Sequence, residues 1–383
     1  MTLPAPPDEL RQLSNKLSEK VRLEIRGQGP MPFSRYMEMA LYQPGLGYYS
    51  AGLHKLGEQG DFVTSPELGS LFAGCLARQI EEVAGKLGEY DILEIGAGSG
   101  RLAADILQLI DQRFPPRRYL VLERSADLRK AQEAHLAATA PRWLDRVEWL
   151  DRPPERAWQG VILANEVIDA LAVERFRVRH DGVDQICVVE EGEGFGWSSR
   201  PAPPELVTAF GHLGVQLPAH YQSELNLQLS GWLAAVSQSM SRGLALFIDY
   251  GYPRSEYYLH ERNNGTLICH YRHRAHDDAL FWPGLQDITA FVDFTALAEA
   301  ADRCGLQVEG YTSQVMFLLG CGLDQVLASQ RALSSDDGMA LNTQARQLTL
   351  PGMMGERFQV MGLGRELGFP LKGFGLLDLC HRL

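Results

Sequence analysis

The residues able to do chemistry fall in three groups. The first is Glu94-Ile95-Gly96-Ala97-Gly98-Ser99-Gly100, an acid followed by three glycines at alternate positions. Asp91 to Ile95 reads as a short buried strand, and Leu102, Ile106, Leu109 and Ile110 follow a helical period. A strand passing through glycines into a helix lets backbone N–H groups approach a nucleotide-type ligand at the helix N-terminus. The second group is Glu123, 23 residues after Gly100, closing the apolar run Tyr119 to Leu122. A carboxylate at a strand tip can accept two hydrogen bonds from a ribose diol. The third is Asn165, Glu166 and Asp169, which follow the apolar run Gly160 to Ala164. Ligands of open α/β sheets bind at the carboxyl ends of strands, and carboxylates placed there can orient a cation. Asp and Asn after a strand also serve as helix caps, which would cover one of these three.

Spacing separates the ligand classes. A dinucleotide fingerprint, G-x-G-x-x-G, needs glycine at position 101, where this chain has Arg101. The pattern E-x-G-x-G-x-G instead resembles motif I of the S-adenosylmethionine-dependent methyltransferases. In those enzymes the acid contacts the methionine end and the glycines pass under the ligand. Glu123 alone does not separate a methyltransferase from a dehydrogenase; with Glu94 and the glycines it indicates an adenosine ligand.

These groups must be carried by a sizeable scaffold. The 383 residues exceed what one core usually serves, so a large domain with appendages, or two domains, is expected. A net charge of −12 argues against nucleic acid as the main partner. Six cysteines without a C-x-x-C pair read as reduced residues of a cytoplasmic protein. No apolar run approaches ~20 residues, so no membrane insertion is expected. Asp8, Glu9, Glu19 and Glu24 interrupt any signal or transit character at the N-terminus.

In chain order, Leu10, Leu13, Leu17, Val21 and Ile25 predict an amphipathic helix over 8–26, ended by Gly27 and Gly29. A short helix over 33–42 follows, and Tyr48 and Tyr49 read as packing. Ser65, Pro66 and Glu67 predict a capped helix running to about Val83, which leaves Gly60-Asp61-Phe62 without a structural explanation. Strands are expected over 147–150, 160–164 and 244–248, the last ending at Asp249 on the cofactor side. Further strands are expected over 306–311 and 356–361. Asp181-Gly182 signals a hairpin, Pro201 to Pro218 reads as irregular, and helices are expected over 221–240, 294–304 and 316–349. His270, His273 and His276 stand at i, i+3 and i+6, but Thr266, Ile268 and the intervening arginines do not read as helix. No acidic second shell accompanies them, so no metal is expected.

The segments GDFVTSPELGSLF, LEIGAGSG, VLERSADLRKAQ, LANEVIDALAVERF, ALFIDYGYP, GTLICHYRH and DITAFVDFTALAEAA, in this order, resemble the MidA family of class I methyltransferases. The likeness runs from about Gly29 to Leu363. It implies an α/β, Rossmann-like class I methyltransferase fold: a seven-stranded, mostly parallel sheet with the last strand antiparallel, an N-terminal helical segment, and helical and hairpin insertions. The implied division is an N-terminal segment over 1–84, a cofactor-binding domain over 85–365 with insertions near 174–222 and 313–350, and a tail over 366–383. Matched residue by residue, it implies a cofactor pocket for S-adenosylmethionine from Gly60, Asp61, Phe62, Thr64, Glu94, Gly96, Gly98, Gly100 and Glu123. It implies a catalytic, substrate-side group of Asn165, Glu166 and Asp169, joined by His273 and Asp293. Mitochondrial members are protein arginine methyltransferases that assist respiratory complex I assembly. A protein substrate follows, a respiratory-complex subunit or its bacterial counterpart, with a homodimer among the assemblies open to it. Two departures bear on the substrate pocket: Ala172 where the family often has proline, and Asp278-Ala279-Leu280 for its D-P-L. A guanidinium is always charged and needs carboxylates to hold it, which Glu166 and Asp169 offer. Other acceptors stay open: a small molecule, another residue type, or no turnover at all in a cofactor-binding assembly protein.

Overall fold

The computed structural model describes residues 3–51, 65–110, 114–333, 338–350 and 354–383. They fold as two compact units. One comprises Met1–Phe62, Asp169–Leu229 and Tyr252–Asp293; the other comprises Val63–Ile168, Ser230–Gly251 and Phe294–Leu383. The Gly60, Asp61, Phe62 and Thr64 of the implied pocket lie outside the described residues.

The second unit is built on seven strands: β1 Asp91–Ile95, β2 Arg118–Leu122, β3 Val147–Leu150, β4 Trp158–Asn165, β5 Met240–Tyr252, β6 Gln307–Ser313 and β7 Phe358–Arg365. Their order across the sheet is β6-β7-β5-β4-β1-β2-β3. β1 to β5 run parallel, and β7 lies antiparallel between β5 and β6. This is the class I methyltransferase sheet expected from the resemblance. The central strands are covered on both faces, which is why β1 and the middle of β4 are buried at consecutive positions rather than at alternate ones. Leu93 and Val161 of the sheet, Leu76 and Ile80 of the helix Ser70–Leu87, and Leu102 and Ile106 of the helix Arg101–Leu109 are all buried. The core also takes Leu371 and Phe374 from the C-terminal segment.

Order decides where a ligand can sit. From β1 the chain moves outward through β2 and β3, then returns to β4 on the other side of β1. The crevice between the carboxyl ends of β1 and β4 is therefore a topological switch point, the standard ligand site of an open α/β sheet.

The first unit contains the helices Asp8–Gln28 and Phe33–Tyr42, both where the apolar spacing puts them. It also holds two small antiparallel sheets. One joins Met31–Pro32, Gly182–Glu191, Glu174–Arg179, Gln222–Leu225 and Gly194–Pro201; the other joins Arg274–His276, Ile268–Tyr271 and Asp287–Thr289. Leu17, Val21, Phe33 and Met37 pack with Val188, Cys269 and Ile288.

Several expected elements differ. The helix expected over 221–240 is instead the strand Gln222–Leu225 followed by the helix Leu229–Ser237, and β5 already begins at Met240. Pairing of Gln222–Leu225 with Glu174–Arg179 overrides local propensity. Ser65 is the first residue of a one-turn helix, Ser65–Leu68, rather than the cap of a long one. Gly69, at φ 143°, breaks the chain before Ser70–Leu87. The stretch read as irregular carries the helix Pro204–Gly211, and the helical insertion after β6 is three helices, Gln314–Gly320, Leu323–Leu333 and Gly338–Thr349.

Candidate active site

Register brings the sheet-borne candidate residues to one level. Ile95 of β1 stands opposite Leu122 of β2 and Ala164 of β4, and Ala164 opposite Phe247 of β5. The next residues are Gly96 and Glu123, which leave the sheet, and Asn165, the last residue of β4, still paired with Ile248 of β5. Glu123 and Asn165 are two strands apart, roughly 10 Å at the usual strand spacing, with the glycine turn between them. An adenosine spans a distance of that order.

Gly96, Gly98 and Gly100 all occupy the left-handed region, at φ 67°, 54° and 82°. A side chain would be strained at each, which explains why three glycines alternate here. The turn is tied to its neighbours by Gly96 N–H donating to Leu122 O at 3.2 Å and Gly100 N–H donating to Ala97 O at 2.8 Å. Gly100 then caps the helix Arg101–Leu109, whose free N–H groups and dipole face the turn. Arg101, the residue that breaks the dinucleotide fingerprint, donates to Glu67 O at 3.0 Å, and the Ser99 hydroxyl donates to the Glu67 carboxylate. Those two residues fasten the helix Ser65–Leu68 over the turn.

Glu94 is buried on β1, and its Oε2 accepts the Tyr119 hydroxyl at 2.8 Å. Burial pushes its carboxyl up to about 7, against the lowering effect of that hydrogen bond. Glu123 is half-buried. Its Oε1 accepts Ser125 N–H at 2.8 Å and its Oε2 accepts Gln132 Nε2–H at 3.3 Å. Burial raises this carboxyl too, opposed by the hydrogen bonds. Arg129 donates to the Glu123 carbonyl and to Leu150 O, holding the tips of β2 and β3 together.

At the end of β4, Glu166 adopts φ 53°, a left-handed conformation that a glutamate rarely takes. It is held there by Glu166 N–H donating to Ile248 O at 2.9 Å, while Asn165 Nδ2 donates to Glu166 Oε1 at 3.0 Å. Asn165 Oδ1 is buried without a hydrogen-bond partner among the described residues. Asp249, foreseen on the cofactor side, pins the loop from β5: its Oδ2 accepts Ile168 N–H at 3.0 Å. Strain of this kind, over-determined by its surroundings, gathers at functional sites.

The other candidates belong to the first unit. Asp169 is buried, and its carbonyl accepts Ala290 N–H at 2.9 Å. Tyr49, read as packing, donates its hydroxyl to Asp287 at 2.9 Å and stacks on Tyr42. Asp293 accepts Arg254 Nε–H at 3.1 Å in a mostly buried ion pair. His273 is exposed at the tip of a two-residue turn, at φ 59° beside Arg272 at φ 50°. His270 and His276 lie on the paired strands flanking it, so the three-residue spacing is that of a hairpin. Among the described residues no group of three or more His, Cys, Asp or Glu could hold a metal ion, and no helix is long and apolar enough to cross a membrane.

Sequence reading missed Gln132, Tyr119 and Trp149 as site residues. Gln132 had a signal: a glutamine four residues before Leu136, on the buried face of the helix Ala126–Thr139.

The three left-handed glycines, the capped helix N-terminus and the buried orphan oxygen of Asn165 make a cradle whose donors and acceptors suit an adenosyl ligand with an amino-acid tail. Comparison with known proteins agrees. The model of a family described as "Putative S-adenosyl-L-methionine-dependent methyltransferase" matches residues 75–312. A protein from Burkholderia thailandensis, solved with S-adenosyl-homocysteine bound, is 38% identical, covers 100% of both chains and superposes with a TM-score of 0.95. The mitochondrial protein arginine methyltransferase NDUFAF7 homologue of Drosophila melanogaster is 28% identical over 400 residues, 94% of this chain and 88% of that one. Human NDUFAF7, also named a protein arginine methyltransferase, is 27% identical over 384 residues, 89% of this chain and 81% of its own. With the switch-point sheet, the glycine turn and these matches in agreement, the chain belongs to this MidA-like family of S-adenosyl-L-methionine-dependent methyltransferases, and S-adenosylmethionine is its cofactor.

Proposed function

We propose that this enzyme methylates arginine side chains of a protein partner in the cytoplasm, using Glu166 to hold the acceptor. The observation that carries the reading is the backbone of Glu166, held in the left-handed region at the carboxyl end of β4, beside the strand that bears the glycine turn. Glu94, Gly96, Gly98, Gly100 and Glu123 would hold the cofactor, with Gly60, Asp61, Phe62 and Thr64 contributing from outside the described residues. When bound, S-adenosylmethionine supplies a methyl group activated by a sulfonium. Methyl transfer is an in-line displacement, so the work left to the protein is alignment and exclusion of water. A guanidinium carries a permanent charge and a planar fork of donors, which a carboxylate orients in two-point geometry. Each methyl that joins a guanidinium nitrogen displaces one proton from it, and the Glu166 carboxylate can accept that proton as well as orient the cation. Asn165 fixes Glu166 Oε1. Asp169, three residues further along the chain, is the second acid that the resemblance to the family implies for catalysis. The names of the mitochondrial relatives favour the same acceptor.

The test is incubation with radiolabelled S-adenosylmethionine in lysate of a strain lacking the enzyme, followed by hydrolysis of the labelled species. Recovery of methylarginine supports the proposal. Label on lysine, on a hydroxyl or on a small molecule overturns the acceptor assignment.

A further inference from the structure

We propose that Gln132 is a positioning residue of the cofactor site: its single carboxamide fixes the Glu123 carboxylate against the glycine turn. The inference rests on the assignment of Glu123 to the cofactor's ribose made above.

Gln132 lies on the helix Ala126–Thr139 and is 0% exposed. Glutamine is rarely buried so completely, because its amide must recover every hydrogen bond it gives up to water. Here Oε1 accepts the Trp149 indole N–H at 2.9 Å. Nε2 donates to Gly98 O at 3.0 Å and to Glu123 Oε2 at 3.3 Å. The amide's orientation follows from its partners. An indole N–H can only donate, and a carbonyl and a carboxylate can only accept, so the reversed amide would lose all three bonds. Trp149 on β3 thus sets the amide, and the amide joins the tip of β2 to the turn after β1.

Two consequences concern the cofactor. Glu123 has both oxygens engaged before any ligand arrives, Oε1 by Ser125 N–H at 2.8 Å and Oε2 by Gln132. Its remaining lone pairs are thereby held in one direction, which removes the ordering cost from ligand binding. The helix bearing Gln132 also approaches the turn closely: a Cβ on Gly100 would stand 3.1 Å from Gln132 Cα. The distance between the ribose-binding carboxylate and the glycine turn is therefore set by one side chain. A glutamine that merely braced the helix on the sheet would need no bond to Glu123.

The discriminating readout is dependence on the ribose hydroxyls. Calorimetry compares S-adenosylhomocysteine with its 2′,3′-dideoxy analogue on wild type, Gln132→Met and Glu123→Ala. Gln132→Met, unbranched and of similar length, is expected to raise the Kd of S-adenosylhomocysteine about tenfold, the effect of losing a hydrogen bond to a charged group. For the dideoxy analogue the change should stay under about threefold, since the coupled group is missing. An equal rise for both ligands, or none for either, overturns the proposal. Loss in Glu123→Ala without loss in Gln132→Met overturns this inference alone; unchanged affinity in Glu123→Ala overturns the ribose assignment and the inference with it. Trp149→Phe guards against a misfolded Gln132→Met. It removes the donor that orients the amide and leaves Gln132 in place. A rise of a few-fold with the same ligand dependence supports the proposal, and wild-type affinity for S-adenosylhomocysteine in Trp149→Phe overturns it.

Discussion

The Tyr119 hydroxyl on β2 donates to Glu94 Oε2 on β1 at 2.8 Å, with both side chains buried between the sheet and its covering helices. One hydrogen bond does not offset the loss of water around the carboxylate, so the folded protein favours the protonated acid, with its carboxyl pushed up to about 7. The unfolded value is 4.5, so the native state binds the extra proton between those limits. Stability from this group is therefore fully present below pH 4.5 and is lost as pH rises to about 7, amounting to about 3 kcal/mol. Glu94→Gln keeps an acceptor for Tyr119 but cannot titrate. Chemical denaturation at pH 5 and pH 8 should show the Gln variant losing less stability across that span than wild type. Parallel curves would mean that Glu94 is ionised throughout.

Gly98 sits at φ 54° in the middle of the turn. Valine there is β-branched and would be forced from the left-handed region, at a cost on the order of 1–3 kcal/mol. The turn would escape by moving its N–H groups off the ligand. Gly98→Val is expected to show no measurable binding of S-adenosylhomocysteine by calorimetry while keeping the far-UV spectrum of the wild type. Wild-type affinity would mean that the ligand does not lie over this turn.

Glu166→Gln preserves size and the hydrogen bond from Asn165 but removes the charge. Cofactor affinity and melting temperature should stay close to wild type, and methyl transfer should fall on the order of 10²-fold or more. Transfer that survives would favour a neutral acceptor. A drop in melting temperature without a specific loss of transfer would make Glu166 a brace for the strand end.

Asp91 opens β1, at the opposite end from the turn, and is 0% exposed. Burial pushes its carboxyl up, but hydrogen bonds from Arg117 and Arg118 at 2.6 and 2.7 Å outweigh that and hold it below the usual range. Asp91→Asn leaves two guanidinium groups without their shared anion and should cost about 2–4 kcal/mol of stability. Cofactor affinity in the folded variant should be unchanged. A selective loss of affinity at constant stability would show that this end of β1 also shapes the site.

Which residues bear on the chemistry was legible in the sequence because local conformation dictates them. Three alternating glycines are needed wherever the chain must turn left-handed three times between a strand and a helix. The apolar run Val161 to Ala164 marks a strand covered on both faces. The helices Asp8–Gln28 and Phe33–Tyr42 followed from spacing alone. What local pattern could not decide was pairing. Gln222–Leu225 became a strand because Glu174–Arg179 was beside it, and Gly69 divided a helix that its flanking residues would have continued. The link from Trp149 through Gln132 to Glu123 joins two strands and a helix. All three lie within residues 123–149, but local pattern does not show that they meet, since β2 and β3 are brought side by side by register and the helix between them packs its buried face against the turn. The left-handed Glu166 is of the same kind. Nothing in its neighbours calls for φ 53°; the carbonyl of Ile248, on the adjacent strand, holds it there.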